Sequence, residues 1–415
     1  MELVRDKLIN LYGSEVEVIK NQEKRFARLA LNFRESFSTD PKYFFSAPGR
    51  TEIAGNHTDH NHGKVIAAGI NLDTIAAVSL SDDEIVTIYS EGFNKGWKVN
   101  INETEPVEKE KETTAALIRG IAARFNELGF SIGGFNACIS SDVMIGSGLS
   151  SSASFEVLIG EIFNSLFNEN KIDPVEIAKA GQYAENKYFG KPCGLMDQVA
   201  CAVGGIVKID FNNPANPVVE KIDLTFGEYS LLIVDTGGNH ADLTNDYAAI
   251  PTEMKNIAKE FNTDVCRNID QKTFWEKLNE LREKEGDRSV LRAIHFFSEN
   301  ERVDQMIKEL AAGSFEEFLN LVKKSGNSSF KYLQNCYSPE NVKHQGIVLA
   351  LLLTEKYLQA NPDGVCRVHG GGFAGTIQVI LKKELVENYI RFIEPIFGKG
   401  SVLNLNIRST GVIQL

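Results

Sequence analysis

The 415-residue chain has no Gly-x-x-x-x-Gly-Lys-Ser/Thr stretch, which excludes a Walker-type phosphate loop. No apolar run approaches the roughly eighteen residues that span a bilayer. Met1-Glu-Leu-Val-Arg also lacks the basic-then-apolar order of a signal peptide, so a cytoplasmic protein is expected. Six cysteines, at 138, 193, 201, 266, 336 and 366, form no Cys-x-x-Cys pair, which argues against a disulfide framework or structural zinc and for buried free thiols. Positive charge is in deficit: a net charge of −12 disfavours nucleic acid or an anionic membrane as the main partner, while still allowing an anionic nucleotide to bind locally. Internal repeats and low-complexity tails are absent as well. Hydrophobic and charged fractions of 43% and 24% are those of an ordinary globular chain long enough for two or three domains.

What is present centres on Met144-Ile-Gly-Ser-Gly-Leu-Ser-Ser-Ser-Ala-Ser-Phe155. Small residues stand between the strand-like Phe135-Asn-Ala-Cys-Ile-Ser and a helix whose apolar face carries Phe155, Val157, Leu158, Ile159, Ile162, Phe163 and Leu166. Gly146 and Gly148 permit close backbone approach, and Ser150, Ser151 and Ser152 can cap the helix. The unpaired first-turn amides of such a helix suit a triphosphate, although the same residues also suit an ordinary capped helix. Gly370-Gly-Gly-Phe-Ala-Gly375 formally matches Gly-x-Gly-x-x-Gly, but the strand-like Thr376-Ile-Gln-Val-Ile-Leu follows where a dinucleotide site needs a helix.

Along the chain, residues 1–38 carry helical spacing. Strands are predicted at Tyr43-Phe-Phe-Ser-Ala, broken by Pro48-Gly-Arg, then at 65–70, 74–80 and 84–90. Helices are predicted at 113–128 and 174–187, strands at 204–210 and 229–235, and mostly helix from about 247 to 326 and 342 to 360. The Asn212-Asn-Pro-Ala-Asn-Pro loop divides the chain into domains 1–215 and 216–415. The Glu-Lys-rich run at 276–288 reads as a solvated helix face.

Three constellations carry chemistry. Gly49-Arg-Thr-Glu-Ile-Ala-Gly-Asn-His-Thr-Asp-His-Asn-His62 contains His-x-x-His-x-His, a conceivable metal set, but its order differs from the metallo-hydrolase pattern. It reads better as a turn rich in hydrogen-bonding groups for a polyhydroxylated ligand. Pro192-Cys-Gly-Leu-Met-Asp-Gln198 places Asp197 among small and apolar residues, where a carboxylate needs a partner, and Arg50 is the residue named for that role. Arg367-Val-His-Gly-Gly-Gly-Phe-Ala-Gly375 is either a plain glycine turn or a loop packing closely on another that carries phosphate.

Together these motifs resemble the GHMP small-molecule kinases and, within them, the galactokinase family. The first is similar to that family's Gly-Arg-x-Asn-x-Ile-Gly-Glu-His-Thr-Asp-Tyr, and Gly146–Ser154 to its Gly-Gly-Gly-Leu-Ser-Ser-Ser-Ala-Ser. Cys193–Gln198 is similar to Cys-Gly-Ile-Met-Asp-Gln, and Gly370–Gly375 to Gly-Gly-Gly-Phe-Gly-Gly. The resemblance covers about residues 43–380. It implies a two-lobed α+β fold, with a ribosomal protein S5 domain 2-like N-terminal lobe and a ferredoxin-like C-terminal lobe. ATP, Mg2+ and a sugar are implied as ligands, galactose first, to be phosphorylated at its anomeric hydroxyl by a monomeric enzyme with no nucleic-acid or membrane partner. Carried over by position, Asp197 would be the base, assisted by Arg50, and Ser152 and Glu185 would ligate magnesium. Gly146, Ser147, Gly148, Leu149, Ser150, Ser151 and Ser152 would hold the phosphates, and His57, Asp59, Gly194 and Tyr247 would contact sugar.

The chain departs from the signature at Glu52, Ala54, Asn56 and His60. Asn56 stands where the family's glutamate faces the sugar's 6-hydroxyl, and an asparagine there would no longer repel a 6-carboxylate. A galacturonate-type substrate is therefore an alternative to galactose, with a non-catalytic sugar sensor as a second.

Overall fold

The computed structural model describes residues 5–93, 95–144, 148–224, 226–238 and 243–415. Gly146 and Ser147 of the expected phosphate loop lie outside the described residues.

Two sheets organise the chain. The first uses β1 (Tyr43–Ala54), β2 (Lys64–Leu80), β3 (Ile85–Ser90), β4 (Trp97–Asn100), β5 (Phe135–Ser141), β6 (Ile206–Asp210) and β7 (Val218–Ile222). The second uses β8 (Tyr229–Asp235), β9 (Gly364–Val368), β10 (Thr376–Lys382) and β11 (Val402–Leu405). The chain then returns, and β12 (Ile413–Gln414) pairs with β1 at the first sheet's edge. Order in the first sheet is β12-β1-β2-β5-β3-β4, with β6 on β2 and β7 on β6. The second has order β11-β8-β10-β9, antiparallel throughout, so its strands run 4-1-3-2 in chain order with helices at both crossovers. That is the split βαβ arrangement expected of a ferredoxin-like lobe.

Alternation on the central strands separates two apolar layers. Phe45, Ala47, Ala76 and Val78 pack with Ile121, Phe125, Val157, Ile162 and Phe163 from the Thr114–Glu127 and Ser151–Phe167 helices. Phe44, Ile75, Ala77 and Cys138 face the other way, against Leu8, Ile19, Phe26, Leu29 and Phe33 of the two N-terminal helices. The sheets meet through a third cluster, in which Ile53, Ile66 and Ala68 pack with Leu231, Ile233, Val365 and Ile380.

Two local readings change. Pro48-Gly49 does not end the first strand: β1 continues to Ala54 with its register shifted between Pro48 and Arg50, because an irregularity absorbs the missing donor. The stretches at 65–70 and 74–80 form one strand, β2, that runs straight through Asp73. Asp73 is fully buried, and its carboxylate accepts from Tyr12 Oη at 2.6 Å, Arg25 Nη1 at 2.6 Å, Arg408 Nη1 at 3.1 Å and the Ser46 hydroxyl. Burial alone would raise its pKa, but Arg25 and Arg408, with the two hydroxyls, hold it below the ordinary value. Because the folded-state pKa is depressed, this stabilisation is present above the unfolded value of about 4 and is lost as pH falls below it. The Asp73→Asn variant leaves the buried Arg408 guanidinium without its anion and Arg25 with only the partly exposed Asp142. Urea unfolding near neutral pH should show a loss of about 3–5 kcal/mol, with a much smaller difference from wild type in acid.

Candidate active site

Asp197 sits in the first turn of the short Met196–Val203 helix, where the N-terminal dipole favours a carboxylate. Arg50, from β1, donates from Nε to Asp197 Oδ1 at 2.7 Å and from Nη1 to the Gly148 carbonyl. Its backbone N–H donates to Leu149 O at 3.0 Å, so the strand and the turn before the Ser151–Phe167 helix are fastened together. Gly49 is needed beside it, since a Cβ there would lie 2.8 Å from Leu149 O. Ser150 adopts a left-handed φ of 61° and donates its hydroxyl to Asp197 Oδ2 at 2.5 Å. The Arg50 side chain is 7% exposed and that of Asp197 36%, so the guanidinium backs a carboxylate that still faces solvent. Burial works against ionisation of Asp197, yet the Arg50 charge and hydrogen bond, with Ser150 and Lys191, hold its pKa below the ordinary value.

The glycine loop after β9 closes on the same region. Its successive carbonyls are taken by side chains: Gly370 O by Asn56 Nδ2 at 2.7 Å, Gly371 O by His57 Nε2 at 2.8 Å, and Gly372 O by Tyr247 Oη at 2.8 Å. A Cβ at Gly371 would lie 2.5 Å from the Tyr247 ring, and one at Gly372 2.0 Å from Asn335 O, so side chains are excluded at both positions. His369 bridges Thr51 Oγ1 and Thr376 Oγ1, each at 3.0 Å, and one at Gly148 would come within 3.3 Å of it. Burial, reinforced by Arg50 and Arg367, keeps this histidine neutral. Asp59 lies against Gly194, whose replacement by any larger residue would place Cβ 1.7 Å from Asp59 Oδ2. Burial lowers the His57 pKa to about 4, so that ring is neutral at physiological pH.

Asn56 differs from the other expected contacts in how fully protein surrounds it. It is fully buried, and each of its side-chain polar atoms meets protein: Nδ2 donates to Glu52 and Gly370 O, and Oδ1 accepts from Asn335 Nδ2 at 2.8 Å and Ser329 Oγ at 3.3 Å. Its polar atoms are thus all met by protein, with Ser329, Asn335 and Gly370 of the second lobe among the partners, which a reading of the signature alone cannot anticipate.

Glu185, 3% exposed, meets Lys191 Nζ at 3.3 Å and Gln198 Nε2 at 3.1 Å. The same Gln198 nitrogen lies 3.0 Å from Glu156 Oε2. Glu156 is fully buried one helical turn after Ser152, and burial, then the nearby Glu185, push its carboxyl well above the usual range. Its Oε1 has no hydrogen-bond partner among the described residues. Glu185 and the unpartnered Glu156 oxygen, with Ser152 one helical turn before Glu156, are hard oxygen donors of the kind a small divalent cation takes. Glu156 and Gln198 were missed as site residues; the available signal was a glutamate inside the apolar Phe155–Ile159 run. Among the described residues no group of three or more His, Cys, Asp or Glu is arranged to hold a metal.

Comparison with known proteins agrees with this geometry. The GHMP kinases N terminal domain model matches residues 116–205, and the galactokinase galactose-binding signature matches residues 31–80. A galactokinase of Limosilactobacillus reuteri (strain DSM 20016) is 32% identical over 378 residues, covering 88% of this chain and 92% of its own. This chain belongs to the galactokinase family. A second member, from Streptococcus mutans serotype c, is 30% identical over 359 residues, covering 85% of this chain and 88% of its own. In fold, a Lactococcus lactis galactokinase crystallised with galactose superposes with a TM-score of 0.80 at 24% identity over 94% of this chain and all of that one. Methanococcus jannaschii mevalonate kinase does so at 0.59 and 18% identity, over 88% of this chain and 98% of its own.

The galactokinase-family chain thus has the two-lobed α+β GHMP kinase fold and is a phosphotransferase acting on a sugar hydroxyl. Among the described residues no helix is long and apolar enough to cross a membrane. Since Ser150 helps to depress the Asp197 pKa, Ser150→Ala should raise it. The acid limb of kcat/KM for sugar phosphorylation should then move to higher pH, with the plateau retained, as measured by a pH series of initial rates.

Proposed function

We propose that this protein is an ATP-dependent galactose 1-kinase, and that residues 1–215 and 216–415 correspond to its two lobes, with β7 and β12 remaining on the first sheet. The observation that carries the reading is a carboxylate held ionised by a buried guanidinium while its other side faces solvent, at the meeting point of three motifs. Asp197 takes the proton of the anomeric hydroxyl as that oxygen bonds to the γ-phosphorus and the bond to the β,γ-bridging oxygen breaks, releasing ADP. An anomeric hydroxyl is more acidic than an ordinary alcohol, and phosphoryl transfer asks mainly for positioning and charge stabilisation, so a weak base suffices. Its low pKa keeps it ready at physiological pH.

Arg50 keeps Asp197 ionised and ties it to the phosphate loop. The backbone amides from Gly148 to Ser152, continuing the expected Gly146 and Ser147, would meet the triphosphate at the N-terminus of the Ser151–Phe167 helix. Ser152 and Glu185 would hold magnesium, with Gln198 fixing the Glu185 carboxylate. When bound, magnesium neutralises charge on the β- and γ-phosphates. Asp59, beside Gly194, would receive sugar hydroxyls, while His57 and Tyr247, anchored on the glycine loop, shape the pocket wall.

The burial of Asn56 among protein partners supports galactose over a 6-carboxylated substrate. A coupled ADP-release assay with ATP should show galactose turnover that requires magnesium and exceeds N-acetylgalactosamine, galacturonate, glucose and arabinose by roughly ten-fold or more in kcat/KM. Turnover confined to another sugar would overturn the substrate assignment, and sugar binding without ADP release would favour a sensor.

A further inference from the structure

Position for position, the family's asparagine is Glu52 here and the family's glutamate is Asn56, so the two residue types have changed places. The structure brings the exchanged residues into contact. Asn56 Nδ2 lies 3.0 and 3.2 Å from the two Glu52 carboxylate oxygens, and both residues are buried. Arg367 Nη2 meets Glu52 Oε1 at 2.9 Å, and the same guanidinium donates to Ile53 O at 2.6 Å and Val368 O at 3.0 Å. The direct ion pair within the cluster is therefore Glu52 with Arg367, while the charges of Arg50 and Glu299 act on Glu52 from further away.

Residue 56 must both donate and accept. Its NH2 serves Glu52 and Gly370 O, and its oxygen serves Asn335 and Ser329. Only an amide of this size does both. Asn335 carries the restraint onward, donating to Gly371 O at 3.1 Å and accepting from Phe373 N at 2.5 Å. Gly371 O is also the acceptor for His57, and the next carbonyl along the loop, Gly372 O, holds Tyr247. A contact therefore runs from strand β1, through Asn56 and the glycine loop, to two walls of the sugar pocket.

We propose that Glu52 and Asn56 act as an exchanged positioning pair: the carboxylate has moved onto β1, where Arg367 neutralises it, and the amide at 56 sets the glycine loop, and through it His57 and Tyr247, without touching the sugar. The activity readouts of this inference rest on the sugar-kinase reading above; its stability readout does not.

The test is a double-mutant cycle of Glu52→Asn, Asn56→Glu and the combined exchange, with the near-isosteric Asn56→Asp as a milder probe. Asn56→Glu sets two carboxylates against one guanidinium, Glu52→Asn leaves Arg367 without an anion, and the combined exchange restores balance. Melting temperatures should show both single variants destabilised and the combined exchange less so than their sum. Asn56→Asp should raise the galactose KM by about ten-fold while changing kcat far less, because positioning rather than chemistry is disturbed. The ratio of kcat/KM for galactose over 6-deoxygalactose should stay within about two-fold of wild type in Asn56→Asp, as expected for a residue that does not face the 6-position. Additive melting temperatures in the cycle, an unchanged KM in Asn56→Asp, or a collapse of that ratio would each overturn the proposal. A wild-type chain that phosphorylates no sugar would instead overturn the kinase reading, leaving the melting cycle to decide the pair.

Discussion

The site depends on one ion pair, Arg50 with Asp197. Burying a guanidinium costs several kcal/mol unless its charge is met, and here the Asp197 carboxylate and the Gly148 carbonyl meet it from two sides. The pair can exist only if three separate elements arrive together: β1, which carries Arg50, the turn at 148–150, and the helix that begins at Met196. Gly49 permits the approach of strand to loop, and the left-handed Ser150 turns its hydroxyl onto the second carboxylate oxygen. The result is a carboxylate that is ionised, oriented and open on one side. Those are the properties a proton acceptor in phosphoryl transfer needs.

Polar clasps, more than core packing, set the second lobe against this centre. The apolar cluster around Ile53, Ile66, Leu231 and Ile233 brings the two sheets together, but it does not specify how the glycine loop lies. That is done by directional bonds from Asn56, His57 and Tyr247 to three consecutive carbonyls, with His369 bridging Thr51 and Thr376. A loop in which Gly371 and Gly372 lack room for a Cβ has little freedom once these bonds form. Gly194 beside Asp59 follows the same rule on the opposite motif, where absence of a side chain lets a carboxylate approach the backbone. Two buried carboxylates in the molecule differ instructively: Asp73 is met by two guanidinium groups and stays ionised, whereas Glu156 shares only an amide with Glu185 and favours its proton.

Much of this was legible in the chain itself. Alternation and helical spacing marked β3, β5, β8, β10 and the 151–167 helix, and the strand after Gly375 correctly ruled out a dinucleotide loop. Pairing Arg50 with Asp197 followed from the cost of an unpaired carboxylate. Other features depended on distant partners. Asp73 looked like a break between strands because its neutralising groups are Arg25 and Arg408, 48 and 335 positions away. The partners of Asn56, Asn335 and Gly370, were invisible from the signature. Pro48 looked like a terminator because a register shift within a sheet leaves no local mark. The helix expected over 174–187 gives way at Glu185 to a wider turn, which carries Glu185 toward Gln198.

The central claim is that Asp197 accepts the proton of the sugar hydroxyl while Arg50 holds it ionised. The most direct measurement pairs calorimetric galactose binding with single-turnover phosphorylation in Asp197→Asn, a variant that keeps the shape of the side chain and removes its basicity. The account predicts a galactose Kd within a few-fold of wild type and a phosphoryl-transfer rate lower by about 10²–10⁴-fold. Near-wild-type phosphoryl transfer in a folded, sugar-binding Asp197→Asn protein would contradict it.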